Sequence, residues 1–195
     1  MKTFTTIFTL FNLMILTGYA YEQERHEIAG HLGIGGNGLY RYKAPFGGGS
    51  SEGGLSFSGG IRYGYTIGNR LQLISGFDYS DHHLTLVGAP MPEQVRRDAH
   101  IAILSVPLHV QWNVGKWFFV HGGPDIDIQV NGDTGMDNQS GVGFTIAVGA
   151  RHAFGPWVLS VAPAVKNYAL LAFKDERYQR RLIIGGAAIG CGYRF

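Results

Sequence analysis

Residues 102–128, AILSVPLHVQWNVGKWFFVHGGPDIDI, decide the fold. Ala102, Leu104, Val106, Leu108, Val110 and Trp112 form one apolar parity. After the short link 113–116 (NVGK), Phe118, Val120, Gly122, Pro124, Ile126 and Ile128 carry the same parity onward. Alternation of period two is the mark of a strand, and two such runs joined by a short glycine-bearing link predict a hairpin. The opposite parity holds His109, His121, Asp125 and Asp127. One face of this hairpin is therefore apolar and the other ionisable.

Outward from this hairpin the same pattern returns at 28–34, 55–65, 71–79, 142–150, 157–165 and 183–195, which makes eight predicted strands. No position of the apolar parity is Asp, Glu, Lys or Arg. The other parity carries Glu27, Arg62, Asp78, Asp125, Asp127, Arg151, Lys166 and Arg194, together with His31, His109 and His121. A soluble sandwich or a lipocalin-like barrel buries the apolar parity and wets the other. A membrane barrel turns the apolar parity to lipid, where an Arg or Lys costs about 2–4 kcal/mol at mid-depth. Period alone does not choose between them.

The links do. Long polar or glycine-rich loops are predicted at 41–54, 80–98, 131–140 and 167–180, and short turns at 66–69 (TIGN), 113–116 (NVGK) and 153–156 (AFGP). Long and short links in alternation are the plan of an up-and-down transmembrane barrel, with short turns on the periplasmic face and long loops outside. Aromatic residues crowd the short-turn side, among them Tyr63, Tyr65, Trp112, Trp117, Trp157, Tyr193 and Phe195. Such rings suit a membrane–water boundary. A strand of about ten residues tilted by about 45° spans the apolar band of such a barrel. Pro107, Pro124 and Pro163 fall inside these strands and each removes a ladder donor, so bulges or weak pairing are expected there.

Composition points the same way. The chain of 195 residues has 30 glycines, 13% aromatic and 15% charged residues, too many glycines for a helical bundle and too apolar for disorder. A net charge of +2 is too small to suggest a nucleic-acid surface. The single cysteine, Cys191, forms no internal disulfide and reads as a small wall residue on the apolar parity. The first residues, with Lys2, the apolar run IFTLFNLMIL and the small pair Gly18 and Ala20, predict a signal peptide at 1–20 cleaved after Ala20. A barrel domain then occupies 21–195.

Three stretches carry a resemblance. Leu104-Ser-Val-Pro-Leu-His-Val-Gln-Trp112 is similar to the aliphatic–Pro–aliphatic strand of small outer-membrane β-barrel proteins of the OmpA/OmpX-like and PorT-like kind. The following Gly115-Lys-Trp-Phe-Phe-Val-His-Gly-Gly-Pro124 is similar to their glycine–proline strand. The tail Ile189, Cys191, Tyr193, Phe195 resembles their alternating end with a terminal aromatic. The resemblance implies an all-β, eight-stranded antiparallel barrel in the cell outer membrane. It also implies that Tyr193 and Phe195 act as the signal read by the barrel-assembly machinery. It says little about activity, because such families are defined by their barrel.

Other motifs dissolve on inspection. Gly33-Ile-Gly-Gly-Asn-Gly38 matches GxGxxG but no helix follows to receive a pyrophosphate. Asp133-Thr-Gly135 lacks the second carboxylate of an aspartic-protease dyad. Asp125, Asp127, Asp133 and Asp137 do not have EF-hand spacing. His82 and His83 read as solvated loop residues, since no HExxH or GxSxG frame surrounds them. The eight inward charges read as a structural ion-pair cluster that fills the lumen, since eight strands enclose little space and unpaired buried charge is costly. The expected role is thus non-enzymatic, without cofactor or metal. It is structural or surface-interacting through the long loops, with membrane lipids, the assembly machinery and an unknown extracellular ligand as partners and no nucleic acid. The alternatives are a lipid A deacylase or acyltransferase, a small-solute channel, and a soluble periplasmic carrier.

Overall fold

A computed structural model of the protein describes residues 25–41, 50–87, 96–131, 137–174 and 180–195. The expected signal peptide, its cleavage site and the Asp133-Thr-Gly135 motif lie outside the described residues. The described chain is built of strands: β1 (His26–Arg41), β2 (Ser50–Glu52), β3 (Leu55–Ile67), β4 (Leu71–Val87), β5 (Arg96–Val114), β6 (Phe118–Gln129), β7 (Gly141–Phe154), β8 (Trp157–Ala172) and β9 (Arg180–Arg194). Setting aside the three-residue β2, eight strands pair in chain order, each antiparallel to the next. The ring closes where β1 pairs with β9, from Glu27 opposite Arg194 to Arg41 opposite Arg180. Beyond the last turn of that ladder, His26 and Phe195 exchange backbone hydrogen bonds of 3.2 and 2.9 Å. No edge is left in the ring, as a structure crossing hydrocarbon requires.

The side chains point as a membrane barrel needs. Leu32, Ile61, Phe77 and Ile189 are 64–67% exposed on the outer wall, while Asp125 and Asp127 are 1% and 0% exposed inside. Arg62, Arg151 and Arg194 also face the lumen, each within 2.5–3.1 Å of a carboxylate. A packed aliphatic centre with those arginines outside would have been the soluble alternative. The three tight turns each place a glycine in the left-handed region, Gly68 at φ 62°, Gly115 at 70° and Gly155 at 59°. A Cβ at any of the three would meet nothing within 4 Å, so backbone angle alone, not crowding, selects glycine there.

Several sequence expectations need correcting. The predicted loop 80–98 is mostly sheet, since β4 runs to Val87 and β5 starts at Arg96. Likewise β8 extends through Ala172 into the predicted loop 167–180. The link 41–54 contains β2, which pairs with Thr85–Val87 at the tip of β4. The strands are therefore longer than the membrane demands and stand beyond it on the loop side. The prolines make no bulge. The ladder merely skips positions beside Pro107, Pro124 and Pro163 and resumes in the same register. The register shift falls instead between β7 and β8, where Val142 and Phe144 face Leu171 and Asn167. Two extra β8 residues are accommodated there, with buried Ala169 at φ 45°, a rare conformation for a residue with a Cβ.

Candidate functional site

The lumen is a stack of side-chain layers, built by inward positions of every strand of the ring. At the turn end, Glu27 of β1 receives two arginines on one oxygen: Arg151 Nη2 at 2.9 Å and Arg194 Nε at 3.1 Å from Oε2. Arg151 Nη1 also donates to Asn113 Oδ1 at 3.0 Å, and Gln111 ties Asn113 to Gln72 through bonds of 2.9 and 3.1 Å. One layer further in, Arg62 grips Asp78 with two prongs of 2.5 and 3.3 Å, and His31 Nε2 lies 3.5 Å from the same carboxylate. His109, His121 and Phe119 stack beside them at centroid separations of 5.3 and 5.7 Å.

The deepest ionic layer centres on Lys166 of β8. Its Nζ lies 3.3 Å from Asp125, 3.1 Å from Asp127 and 2.9 Å from Ser105 Oγ, and 4.5 Å above the Tyr168 ring. Thr145 donates to Asp125 at 2.6 Å and Ser105 to Asp127 at 2.7 Å. His109 Nε2 stands 3.2 Å from Asp125 Oδ1. Gly143 leaves the space that the Asp127 carboxylate fills, because a Cβ there would collide with it. The second Asp127 oxygen accepts the N–H of Ala169 at 3.5 Å, which anchors the strained turn of β8. That turn in turn aims Tyr168 inward.

All eight inward charges named from the sequence are thus brought together, though not as four pairs. They sort into one acid with two bases (Glu27, Arg151, Arg194), one with one (Asp78, Arg62), and two with one (Asp125, Asp127, Lys166). The first layer carries one excess positive charge, the second is balanced, the third carries one excess negative charge, and the stack as a whole is neutral. The partners are far apart in sequence, and only the stagger of the closed ring decides who meets whom.

Above Lys166 the chemistry changes. His82 is fully buried on β4, which corrects its reading as a solvated loop residue. It bridges Ser56 and Ser80 at 2.9 and 3.0 Å, and Ser80 also accepts the Tyr168 hydroxyl at 3.0 Å. Beyond lies an apolar layer of Leu84, Ile101, Ile103, Tyr168 and Leu182, with Leu39 and Ile184 against it. Gln139 covers this layer, also fully buried; its side chain accepts from the N–H of Leu182 at 3.1 Å and donates to the carbonyl of Arg180 at 3.1 Å. Inward Ile101, Ile103 and Leu182 escaped the parity reading. The signal was there: 101–104 (IAIL) and 182–184 (LII) are apolar at both parities.

What remains open inside is small. One gap of about 100 Å³ lies between His31, Arg62, Asp78, Lys166 and Tyr168, and another of about 80 Å³ between Glu27, Arg62, Gln111 and Arg151. Pockets that enclose a drug-sized ligand run to ~300–1,000 Å³. The hydroxyl of Ser105, held between a cation and a carboxylate, therefore has no substrate-sized space before it. The remaining sequence motifs find plain places. Gly33–Gly38 lies within β1, Cys191 is exposed on the outer wall, and Asp125 and Asp127 are in the lumen rather than a loop.

Outside, the turn end carries an aromatic collar. Trp157 meets Tyr193 edge-on at 5.2 Å, Trp117 stacks on His152 at 4.7 Å, and Phe195 stacks on His26 at 5.6 Å. His26 Nδ1 and the Tyr63 hydroxyl are hydrogen-bonded at 2.5 Å.

Comparison with known proteins agrees with this architecture. The family described as outer membrane protein beta-barrel domain matches residues 8–195. No curated protein matches the sequence. Among solved structures, Neisserial surface protein A is similar with a TM-score of 0.52 and 12% identity, covering 89% of this chain and 98% of that one. The outer membrane protein AlkL, solved in DMPC bilayers, is similar with a TM-score of 0.52 and 11% identity over 91% of this chain and 93% of its own. OprG from Pseudomonas aeruginosa matches with a TM-score of 0.49 and 12% identity, over 87% of this chain and 95% of that one. At such identities the likeness is one of fold.

Proposed function

The chain belongs to the outer membrane protein beta-barrel domain family, and from that premise we propose that it is a non-enzymatic barrel whose lumen is shut and whose work is done at its surface. The observation that carries this reading is the layered plug. Ionic layers whose charges cancel over the stack fill the membrane depth, and the apolar layer of Leu84, Ile101, Ile103 and Leu182 closes the loop end. Buried charges matched in this way are costly to unpair, so the stack resists opening. With the lumen occupied, the surfaces left for recognition are the loops, which face outside the cell in this reading and meet an extracellular ligand or a structural partner. Residues 1–20 act as an export signal removed after Ala20, membrane lipids surround the wall, and Tyr193 and Phe195 present the last strand to the assembly machinery.

The refolded barrel in planar bilayers tests the shut lumen. The expected trace is silent at ordinary voltages, and sustained single-channel conductance would replace this reading by the small-solute channel. Protease added to whole cells tests the orientation. Cuts are expected within 88–95 or 175–179, and complete protection of both would turn the loops to the other side.

A further inference from the structure

On the outer wall, the apolar run of β4 ends at Tyr79 and the next two outward positions are Asp81 and His83. On the neighbouring strand β5, His100 lies directly opposite His83. We propose that Asp81, His83 and His100 form a binding site for a divalent transition metal of the Zn²⁺ class, set on the barrel wall just beyond the hydrocarbon on the loop side.

The argument begins with the pleat. Alternate residues of a strand share a face, and directly opposed residues of antiparallel strands bring their Cβ atoms to within about 5.5 Å. Asp81, His83 and His100 therefore share one face of one sheet patch without any loop to position them. Their donors converge on a point. The Nε2 atoms of both histidines turn to the same oxygen, Asp81 Oδ1, at 2.5 Å from His100 and 3.8 Å from His83. All three donor atoms lie within 4.8 Å of one another, and the two rings sit 5.0 Å apart. Asp81 Oδ1 is shielded from solvent yet accepts no hydrogen bond among the described residues. An ion would take the place of that close approach.

Donor chemistry selects the ion. Two imidazoles and one carboxylate suit Zn²⁺ and its neighbours, whereas Ca²⁺ and Mg²⁺ ask for more oxygens. Bonds of ~2.0–2.1 Å put the donors of a tetrahedron ~3.4 Å apart. His83, exposed and free to turn, reaches that spacing by a small side-chain swing. The fourth position faces an open hollow of about 350 Å³ bordered by His83, His100, Thr85 and Asp98, so an ion has access from solvent. Thr85 holds Asp98 at 3.0 Å on the far side of this hollow.

The test uses tag-free mature barrel refolded in detergent, with heat-modifiable gel migration as the check that each variant is closed. Titration with Zn²⁺ is expected to show one saturable site per barrel. His83→Ala and His100→Ala should each weaken it at least ~10-fold, the scale that even an outer partner of a metal site commands. His152→Ala on the turn side should leave it unchanged. Spectroscopy of Cu²⁺ bound to the unmutated barrel needs no variant to fold, and should report two imidazole nitrogens. Absence of a saturable Zn²⁺ site, full affinity in the His83→Ala, His100→Ala double variant, or a Cu²⁺ signal with fewer than two imidazoles would each overturn the site.

Discussion

The two halves of the barrel are built on opposite plans. At membrane depth it is inside out: Leu32, Ile61 and Phe77 face outward while Asp78, Asp125 and Asp127 are buried within. Toward the loops it reverts to the plan of a soluble protein. There Leu84, Ala99, Ile101, Ile103 and Leu182 point inward, and Asp81, His83, Asp98 and His100 stand on the exposed or half-exposed side. The strands do not break and their parity does not slip on β4 or β5. The change occurs within one step, from Tyr79 to Asp81 on β4 and from Ala102 to His100 on β5. The surroundings, rather than the backbone, dictate it: below the reversal the wall meets hydrocarbon and above it water. The reversal thus marks where the apolar band of the membrane ends.

Substitutions in each half sharpen that contrast. The largest effect is expected from Lys166→Met, which leaves Asp125 and Asp127 without their cation in a fully buried layer. Breaking such a cluster from one side costs about 3–5 kcal/mol, read as a lower urea midpoint for unfolding from detergent or lipid. In the soluble-like half, Leu182→Ala should cost about 2–4 kcal/mol through the cavity it leaves. Arg151 at the turn end meets Glu27 and Asn113, none of them in the Leu182 layer, so the losses from Leu182→Ala and Arg151→Met should add in the double variant to within ~0.5 kcal/mol. Strong coupling between them would mean that the halves are one core. Third, Ile61→Arg on the lipid face should cost about 2–4 kcal/mol, while Thr85→Arg on the same outward side above the reversal should cost ~0–1 kcal/mol. Equal costs at the two positions would move the boundary.

The parity of residues such as Leu104, Val106 and Leu108 is local, and so the wall, the number of strands and the identity of the inward charges were legible in the sequence. The assortment of those charges was not. Glu27 meets Arg151 and Arg194 across the full width of the chain, and that meeting depends on the stagger of a closed ring, which no single segment encodes. The strained turn at Ala169 was equally hidden, because its stabilising partner, Asp127, comes from another strand. His82 was misjudged for a different reason. Polar neighbours at 80–83 (SDHH) suggest a loop when a strand is expected to stop at the membrane surface, but β4 continues into water, where a polar outer face is ordinary.

The seam between β1 and β9 imposes an order of events on biogenesis. The ladder from Glu27–Arg194 to Arg41–Arg180 joins the first and last strands of the ring, so it is among the slowest contacts for a diffusing chain to find. Until β9 has been made, β1 keeps a row of unsatisfied donors and acceptors that any passing strand can capture. The closed topology therefore leaves the unfinished sheet open to wrong pairings for as long as that edge must wait.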